Sequence, residues 1–563
     1  MQRAPCAAAV TKESAVKNYE AISRFLAHER SGKPLFGLMG DANLAYLGHF
    51  IEQTDGRYIG MSIEDAVVLA ADGYARFSGE VGMATVTFGP AITNAITALT
   101  EAARARTPLV LLTGDTPDVN EHYQRIDIAA VAALTGAAYE RSYSGADAVK
   151  TIHKAVMRAR ARQQPVIVNI PYAQMNDEVD LPELPDLSQP ASVLGADSDR
   201  VEDALGYLMS ARRPLVLAGR GVISAGARDS VLRFARMIGA PVMTSLIAKD
   251  LFRGEPENLG IHGTLSNEVG VEYMGDADVV IAFGASLNNW QTDHYHLMEG
   301  KKVIQVDSCA EALGKYGPVD VAIQADVAAA VDALAGTLLE ADPDADSRPA
   351  PKYVAALEDR PQREALDDYR STSREDHIDV RDAAMRISTA ISHDGQKQIN
   401  QVSDIGMYFP SVVQHMVVDP GRWDFAGYFG AIGLAIPLGV GAAYADSSRP
   451  TVVWVGDGAA MHSLMEVSTA VRDGLPLVVV VLNDSCYGAE FYKLENFGSK
   501  GETSFVEWPS FAAMARGMGA AGHTVSSLDE LDSVLGELGE ITAPTVIEVV
   551  TDPLERFRPK PRS

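Results

Sequence analysis

Two acidic residues, Asp457 in "VGDGAAMHSLMEV" and Asp484 in "LNDSCYGAE", stand 27 positions apart, and each follows an apolar run of strand length. Gly456 and Gly458 flank the first and let backbone approach a ligand closely, as a phosphate cradle requires. One strand–helix–strand unit fits between the two acids, so neighbouring parallel strands can deliver both carboxylates to a single hard cation. Mg²⁺ takes such a partial oxygen shell and completes it with phosphate oxygens and water. Taken singly, GDG is equally a plain strand-to-helix turn and Asn483-Asp484 an ordinary loop entry; the spaced pair is what favours cation chemistry. The helix after Asp457 is expected from about residue 462.

The elements that must position these acids follow from the alternation of apolar runs with Ala-rich helical stretches, the pattern of parallel sheets covered by helices on both faces. Three blocks are expected. The first carries strands near 34–40, 82–88, 108–115 and 165–171, with helices over 64–77 and 91–105. A Pro- and acid-rich linker, 176–199, leads to a second block with strands near 214–222, 240–246, 278–286 and 301–307 and a helix over 327–341. After a further linker at 342–352, a third block holds strands at 398–406, 449–460, 475–484 and 543–550. The expected fold class is α/β with three doubly wound parallel-sheet domains. In open sheets of this kind ligands bind beyond the carboxyl ends of the strands, where both acids fall.

The bulk properties narrow the function. A chain of 563 residues with 47% hydrophobic content has room for several domains. Its formal charge of −27, dispersed along the chain, disfavours nucleic acid as a partner. Cys6, Cys309 and Cys486 form no CxxC pair, which argues against a disulfide framework or structural zinc and fits a cytoplasmic location. The apolar stretch 431–445 is shorter than the ~20 residues that span a bilayer, so no membrane anchor is expected. Residues 1–14 read as a disordered lead-in and 556–563 as a basic tail.

On these motifs the sequence resembles the thiamine-diphosphate-dependent enzymes of the acetolactate synthase, pyruvate decarboxylase and benzaldehyde lyase superfamily, most of all the acetolactate-synthase-like branch. Their signature is GDG followed about two dozen residues later by an Asn pair. Four further segments match in order: "MSIEDAVVLAADGYAR" (61–76), "TFGPAITNAITAL" (87–99), "HYQRIDIAAV" (122–131) and "FGAIGLAIPLGVGAAYA" (429–445). The resemblance implies a pyrimidine-binding domain (15–175), a central domain (195–341), a linker (342–375) and a diphosphate-binding domain (376–555). It places Glu64 at the cofactor-activating glutamate, the Gly430 carbonyl at the aminopyrimidine and Ile432 under the V-shaped bend. A carboxylate at Glu64 favours the imino form of the pyrimidine, so that the cofactor's own amino group serves as base. Mg²⁺ is expected on Asp457, Asp484 and the Cys486 carbonyl, with backbone contacts from Gly456, Gly458, Ala459, Tyr487 and Gly488. The family shares each site between subunits, which implies a homodimer at least and commonly a homotetramer.

Several positions depart from the family pattern. Ile63 stands where many relatives carry His, Phe88 where a small hydroxyl residue is frequent, and Asp484 replaces the second Asn, a change Mg²⁺ can absorb. Ile63, Phe88, Gln124 and Glu490 are expected to line the substrate pocket; for Glu490, as for Tyr487, helix-start packing is the alternative. Gln124 matches an active-site glutamine, and His122 is either a proton shuttle or a surface loop residue. His462 reads as structural. The central domain resembles the FAD- or ADP-binding edge of some relatives in "AGRGV" (218–222), "HGT" (262–264), "FGASLNNW" (284–291) and "VDS" (306–308). The expected reaction is decarboxylation of a 2-oxo acid with ligation of the acyl anion to a carbonyl acceptor. The alternative is cleavage of a 2-hydroxy ketone or 2-hydroxyacyl-CoA, for which the basic tail suits a CoA phosphate or is simply an exposed end.

Overall fold

The structure, a computed structural model, describes residues 15–117, 119–181, 193–349, 351, 354, 369–393, 395–538 and 541–554. The expected lead-in 1–14, the basic tail 556–563 and most of the stretch 352–368 lie outside the described residues. Three six-stranded parallel sheets form the frame. Numbered along the chain within each sheet, the first (Leu35–Gly37, Tyr58–Gly60, Gly82–Thr85, Leu109–Thr113, Ala138–Arg141, Pro165–Asn169) has the order 2-1-3-4-6-5. The third sheet (Asn400–Ser403, Trp423–Phe425, Thr451–Gly456, Leu477–Asn483, Ala521–Val525, Thr545–Val550) repeats that order. The second (Pro214–Ala218, Val242–Thr244, Asn258–Ile261, Val279–Phe283, Lys302–Asp307, Val321–Gln324) runs 3-2-1-4-5-6. A two-stranded antiparallel pair, Val16↔Val179 and Lys17↔Glu178, ties the start of the first block to the segment expected as a linker.

Interior strands such as Leu477–Asn483 ("LVVVVLN") are buried on both faces, which is why their sequences are continuous β-branched runs and not alternating ones. The first and third sheets share one apolar cluster, from Phe36 and Leu111 through Val67–Ala71 and Leu434–Ala443 to Val453 and Val479. At its centre the helices Glu64–Ser78 and Ala435–Ala445 cross in near contact. A Cβ on Gly73 would lie 2.0 Å from the Leu438 carbonyl oxygen, and one on Gly441 1.9 Å from that of Ala70. Only glycine permits this approach.

Several expected strands prove shorter, the one at 449–460 being Thr451–Gly456, and three further boundaries shift. The helix after the GDG motif begins at Asp457 itself (Asp457–Ser463) and not near 462, because Gly456, extended at φ −76° and ψ 162°, already serves as its N-cap. The expected strand 214–222 ends at Ala218, where the sheet ends and the helix Arg220–Ser224 begins. The helix expected over 91–105 is two pieces, Pro90–Asn94 and Ile96–Ala105.

Candidate active site

Strands Thr451–Gly456 and Leu477–Asn483 pair in parallel with Gly456 opposite Leu482, so Asp457 and Asp484 emerge side by side at their carboxyl ends. Asp457 is buried; its Oδ1 accepts the Gly458 N–H at 2.5 Å, while its Oδ2 has no hydrogen-bond partner among the described residues. Asp484 Oδ1 accepts the Cys486 N–H at 3.0 Å, and burial together with the Asp457 charge pushes its carboxyl up to about 7. Two adjoining carboxylates, Asp457 buried and Asp484 half-buried, repel and are poorly solvated, and an orphaned carboxylate oxygen beside them fits a divalent cation. The Cys486 thiol is pushed up to about 12 by burial and by both aspartates, so it stays protonated. What Cys486 can offer a hard cation is its main-chain carbonyl, which also accepts the Gly488 N–H at 2.9 Å.

A turn with Ser485 at φ 54° aims Asp484 and Cys486, and Asn483 holds it: its Oδ1 accepts the Ser485 N–H at 3.1 Å and its Nδ2 donates to Glu548 at 2.9 Å. Residues 485–487 also pair with 504–506 through Val506 N–H to Ser485 and Tyr487 N–H to Ser504. Gly458 needs its missing side chain, because a Cβ there would meet the Tyr487 ring at 2.6 Å. Gly430 and Ile432 line the same cleft as Gly456, Asp457, Gly458, Ala459, Asp484, Cys486, Tyr487, Gly488 and Glu490. That cleft, about 3310 Å³, continues along the central domain past Gly284 and Asp307.

Ile63, Glu64, Phe88, His122 and Gln124 lie elsewhere, in the first domain. Glu64 opens the helix Glu64–Ser78 and its Oε2 accepts a hydrogen bond from Asn94 at 2.9 Å; Ile63, its N-cap, is exposed. The turn before Asn94 bends at Gly89 (φ 68°), where a Cβ would strike Gln124 at 2.7 Å. Phe88 is buried edge-on against His122 (6.0 Å between centroids) and Tyr172, while His122 stacks on Tyr123 at 5.1 Å. His122 is thus fixed by aromatic packing, with its Nδ1 accepting the Gln124 N–H at 3.3 Å. The single chain therefore gathers the expected residues into two groups, a cation-and-diphosphate half and a Glu64 half.

Sequence reasoning passed over the carboxylates that brace both halves. Glu466 accepts the Ser62 N–H at 2.9 Å, tying the entry of the Glu64 helix to the third domain. Glu548, in strand Thr545–Val550, supports Asn483. Asp404 follows strand Asn400–Ser403 just as Asp457 and Asp484 follow theirs, a signal that was available. The central-domain glycines serve packing: a Cβ on Gly219 would lie 2.2 Å from the Gly284 oxygen and one on Gly221 2.6 Å from Gly284 Cα. Buried His262 is likewise engaged, its Nδ1 on the Gln291 carbonyl at 2.8 Å, and burial lowers it to about 4.

Comparison with known proteins agrees with this layout. Residues 17–133, 201–334 and 404–549 match the N-terminal TPP binding, central and C-terminal TPP binding domains of the thiamine pyrophosphate enzymes. The chain is 26% identical over 517 residues to the acetolactate synthase large subunit of Haemophilus influenzae, covering 88% of each. It is 27% identical over 529 residues to the sulfoacetaldehyde acetyltransferase of Alcaligenes xylosoxydans xylosoxydans, covering 89% of this chain and 87% of that one. The acetolactate synthase isozyme 3 large subunit of Escherichia coli is 25% identical over 490 residues, 84% of each chain. With three family domains in order along the chain, it belongs to the thiamine pyrophosphate enzymes and is a thiamine-diphosphate-dependent enzyme.

Proposed function

We propose that the chain is a thiamine-diphosphate- and Mg²⁺-dependent enzyme that decarboxylates a 2-oxo acid and ligates the acyl group to a carbonyl acceptor, in the manner of an acetolactate synthase. The observation that carries this is Asp457 Oδ2, a buried carboxylate oxygen with no hydrogen-bond partner among the described residues, beside a second, half-buried acid. A divalent cation satisfies both, and a diphosphate in the cleft completes its shell.

In this reading Asp457, Asp484 and the Cys486 carbonyl hold Mg²⁺, and backbone at Gly456, Gly458, Ala459, Tyr487 and Gly488 holds the diphosphate. When bound, thiamine diphosphate supplies the nucleophilic carbon at which the 2-oxo acid loses CO₂. With the cofactor bound, Glu64 would exchange a proton at the pyrimidine ring, the Gly430 carbonyl would accept from its amino group, and Ile432 would support it from beneath. Gln124 and His122 face the reacting carbonyl, and Ile63, Phe88 and Glu490 shape the pocket. Because Glu64 and Asp457 fall in different halves, each complete site takes Glu64 from one copy and the cation half from another. A homodimer is then the smallest active unit and a homotetramer the fuller assembly. Domains spanning 15–175, 195–341 and 376–555 suit this division. The free thiols of Cys309 and Cys486 suit a cytoplasmic setting.

Incubation of the Mg²⁺ holoenzyme with pyruvate, sulfoacetaldehyde, benzoin and a 2-hydroxyacyl-CoA tests the reaction. CO₂ release from pyruvate with a ligated product supports the reading. Aldehyde release from benzoin or the acyl-CoA, with pyruvate untouched, replaces it with a lyase. A visible absorption spectrum decides whether the central domain carries flavin.

A further inference from the structure

Two buried carboxylates from different domains frame Gly430, Ala431 and Ile432. Upstream, Glu101 on helix Ile96–Ala105 accepts the N–H groups of Gly427 and Tyr428 on Oε1 (2.9 and 3.1 Å) and of Phe429 on Oε2 (2.7 Å). Downstream, Asp404 accepts the N–H groups of Gly433, Leu434 and Ala435 on Oδ2 (3.0, 2.9 and 3.0 Å) and of Ile405 on Oδ1 (2.9 Å). Both carboxylates are fully buried. Six backbone donors between 427 and 435 thus end on two side chains, and the three residues left between the grips line the cleft, as Gly427, Tyr428 and Phe429 before them also do.

Ordinary loop closure does not ask for this. A neutral Asn, Ser or Thr caps a helix start, whereas a buried carboxylate carries a desolvation cost. Charge-assisted N–H bonds are shorter and roughly twice as strong as neutral ones, so carboxylates, once ionised, give the loop a stiffness that neutral caps do not. The backbone already bends sharply, with Gly430 at φ 87° and Gly433 at φ 85°, and a Cβ on Gly433 would strike His462 at 2.4 Å. Arg76 stands 3.5 Å from Glu101 and is paired with Asp72 at 2.5 Å, which fixes the upstream grip to the Glu64–Ser78 helix.

We infer that Glu101 and Asp404 are positioning residues, a pair of clamps that set the Gly430 carbonyl and the Ile432 side chain at the depth the cofactor's bend requires. This rests on the reading of Gly430 and Ile432 as cofactor contacts. Holding that stretch to within fractions of an ångström matters because a 1 Å misplacement of a reacting group costs about a hundredfold in rate.

The test uses full-length Mg²⁺ holoenzyme and the variants Glu101→Gln, Glu101→Asp, Asp404→Asn and Ile432→Ala. Three quantities are read: thiamine diphosphate affinity by calorimetry, hydrogen–deuterium exchange at the thiazolium carbon by quenched-flow NMR, and the split of kcat against KM. For any clamp variant that folds, exchange and kcat should fall together by about tenfold to a hundredfold, with KM and cofactor affinity changed by less than about tenfold. Glu101→Asp, which keeps the charge, should recover part of the loss. Exchange per folded molecule equal to the parent in the folded clamp variants, whatever happens to thermal stability, overturns the clamp. If Ile432→Ala leaves both exchange and affinity untouched, the cofactor-contact reading has failed and the clamp with it. If Ile432→Ala slows exchange and the clamp variants do not, the clamp alone is refuted.

Discussion

Glu64 Oε2 is held by Asn94, so its carboxylate arrives at the site already oriented. Proton transfer from such a group contributes ~10²–10⁴-fold, so Glu64→Gln should reduce turnover by about that factor while calorimetry still shows cofactor binding; full activity would remove Glu64 from the mechanism. Asp484 crowds Asp457, so Asp484→Asn should raise the thermal midpoint of the metal-free protein, with Mg²⁺ affinity lowered by no more than about tenfold. Asp404 supplies a pH signature. Burial holds its carboxyl at about 7 against an ordinary 3.8, and the neighbouring Tyr408 is itself pushed up by burial and by Asp404. Across that window the folded chain keeps a proton the unfolded chain has released, so stability falls as pH rises. Denaturant midpoints between pH 4 and pH 7 should decline less in Asp404→Asn than in the parent. At this scale the sequence was readable where a residue meets the ligand and opaque where it meets only backbone: Asp457 and Asp484 sit in motifs, whereas Glu101 and Asp404 gain meaning only from N–H groups 29 to 328 positions away, Gly433 from Asp404 being the shortest reach beyond Ile405 and Phe429 from Glu101 the longest.

Strands were legible in proportion to their place in the sheet. Each strand expected from the sequence proves to be interior, and those missed are the edges: Tyr58–Gly60, Ala138–Arg141, Asn258–Ile261, Val321–Gln324, Trp423–Phe425 and Ala521–Val525. An interior strand must be apolar on both faces, while an edge such as "AYER" or "AGHTV" is half solvated and reads as loop. The GDG helix was placed late for a related reason, since Asp457 is polar and its helical role depends on the geometry of Gly456. Helix packing gives a prediction of its own. Gly441→Ala puts a methyl group 1.9 Å from a carbonyl oxygen that cannot retreat, so it should cost ~3 kcal/mol or more, read as a lower denaturation midpoint. Gly336→Ala, on the open side of the helix Val327–Ala341, meets no atom within 4 Å and should be neutral or slightly stabilising.

The whole molecule offers a test that no single residue does. Glu64 and Asp457 lie in separate halves, so two inactive variants should complement each other. Glu64→Gln and Asp457→Ala, unfolded and refolded together in equal amounts, should recover up to about a quarter of parental activity, because mixed twofold dimers contain one intact site. Inactivity of a mixture shown by mass spectrometry to contain mixed dimers would mean each chain closes its own site. The crossing of Glu64–Ser78 with Ala435–Ala445 bears on how such a machine can move. With backbone against backbone at Gly73 and Gly441, there is no compliant layer of side chains for the helices to slide on. The crossing works as a fixed bearing, and the microsecond-to-millisecond opening that admits substrate must come from elsewhere in the chain, away from these two helices.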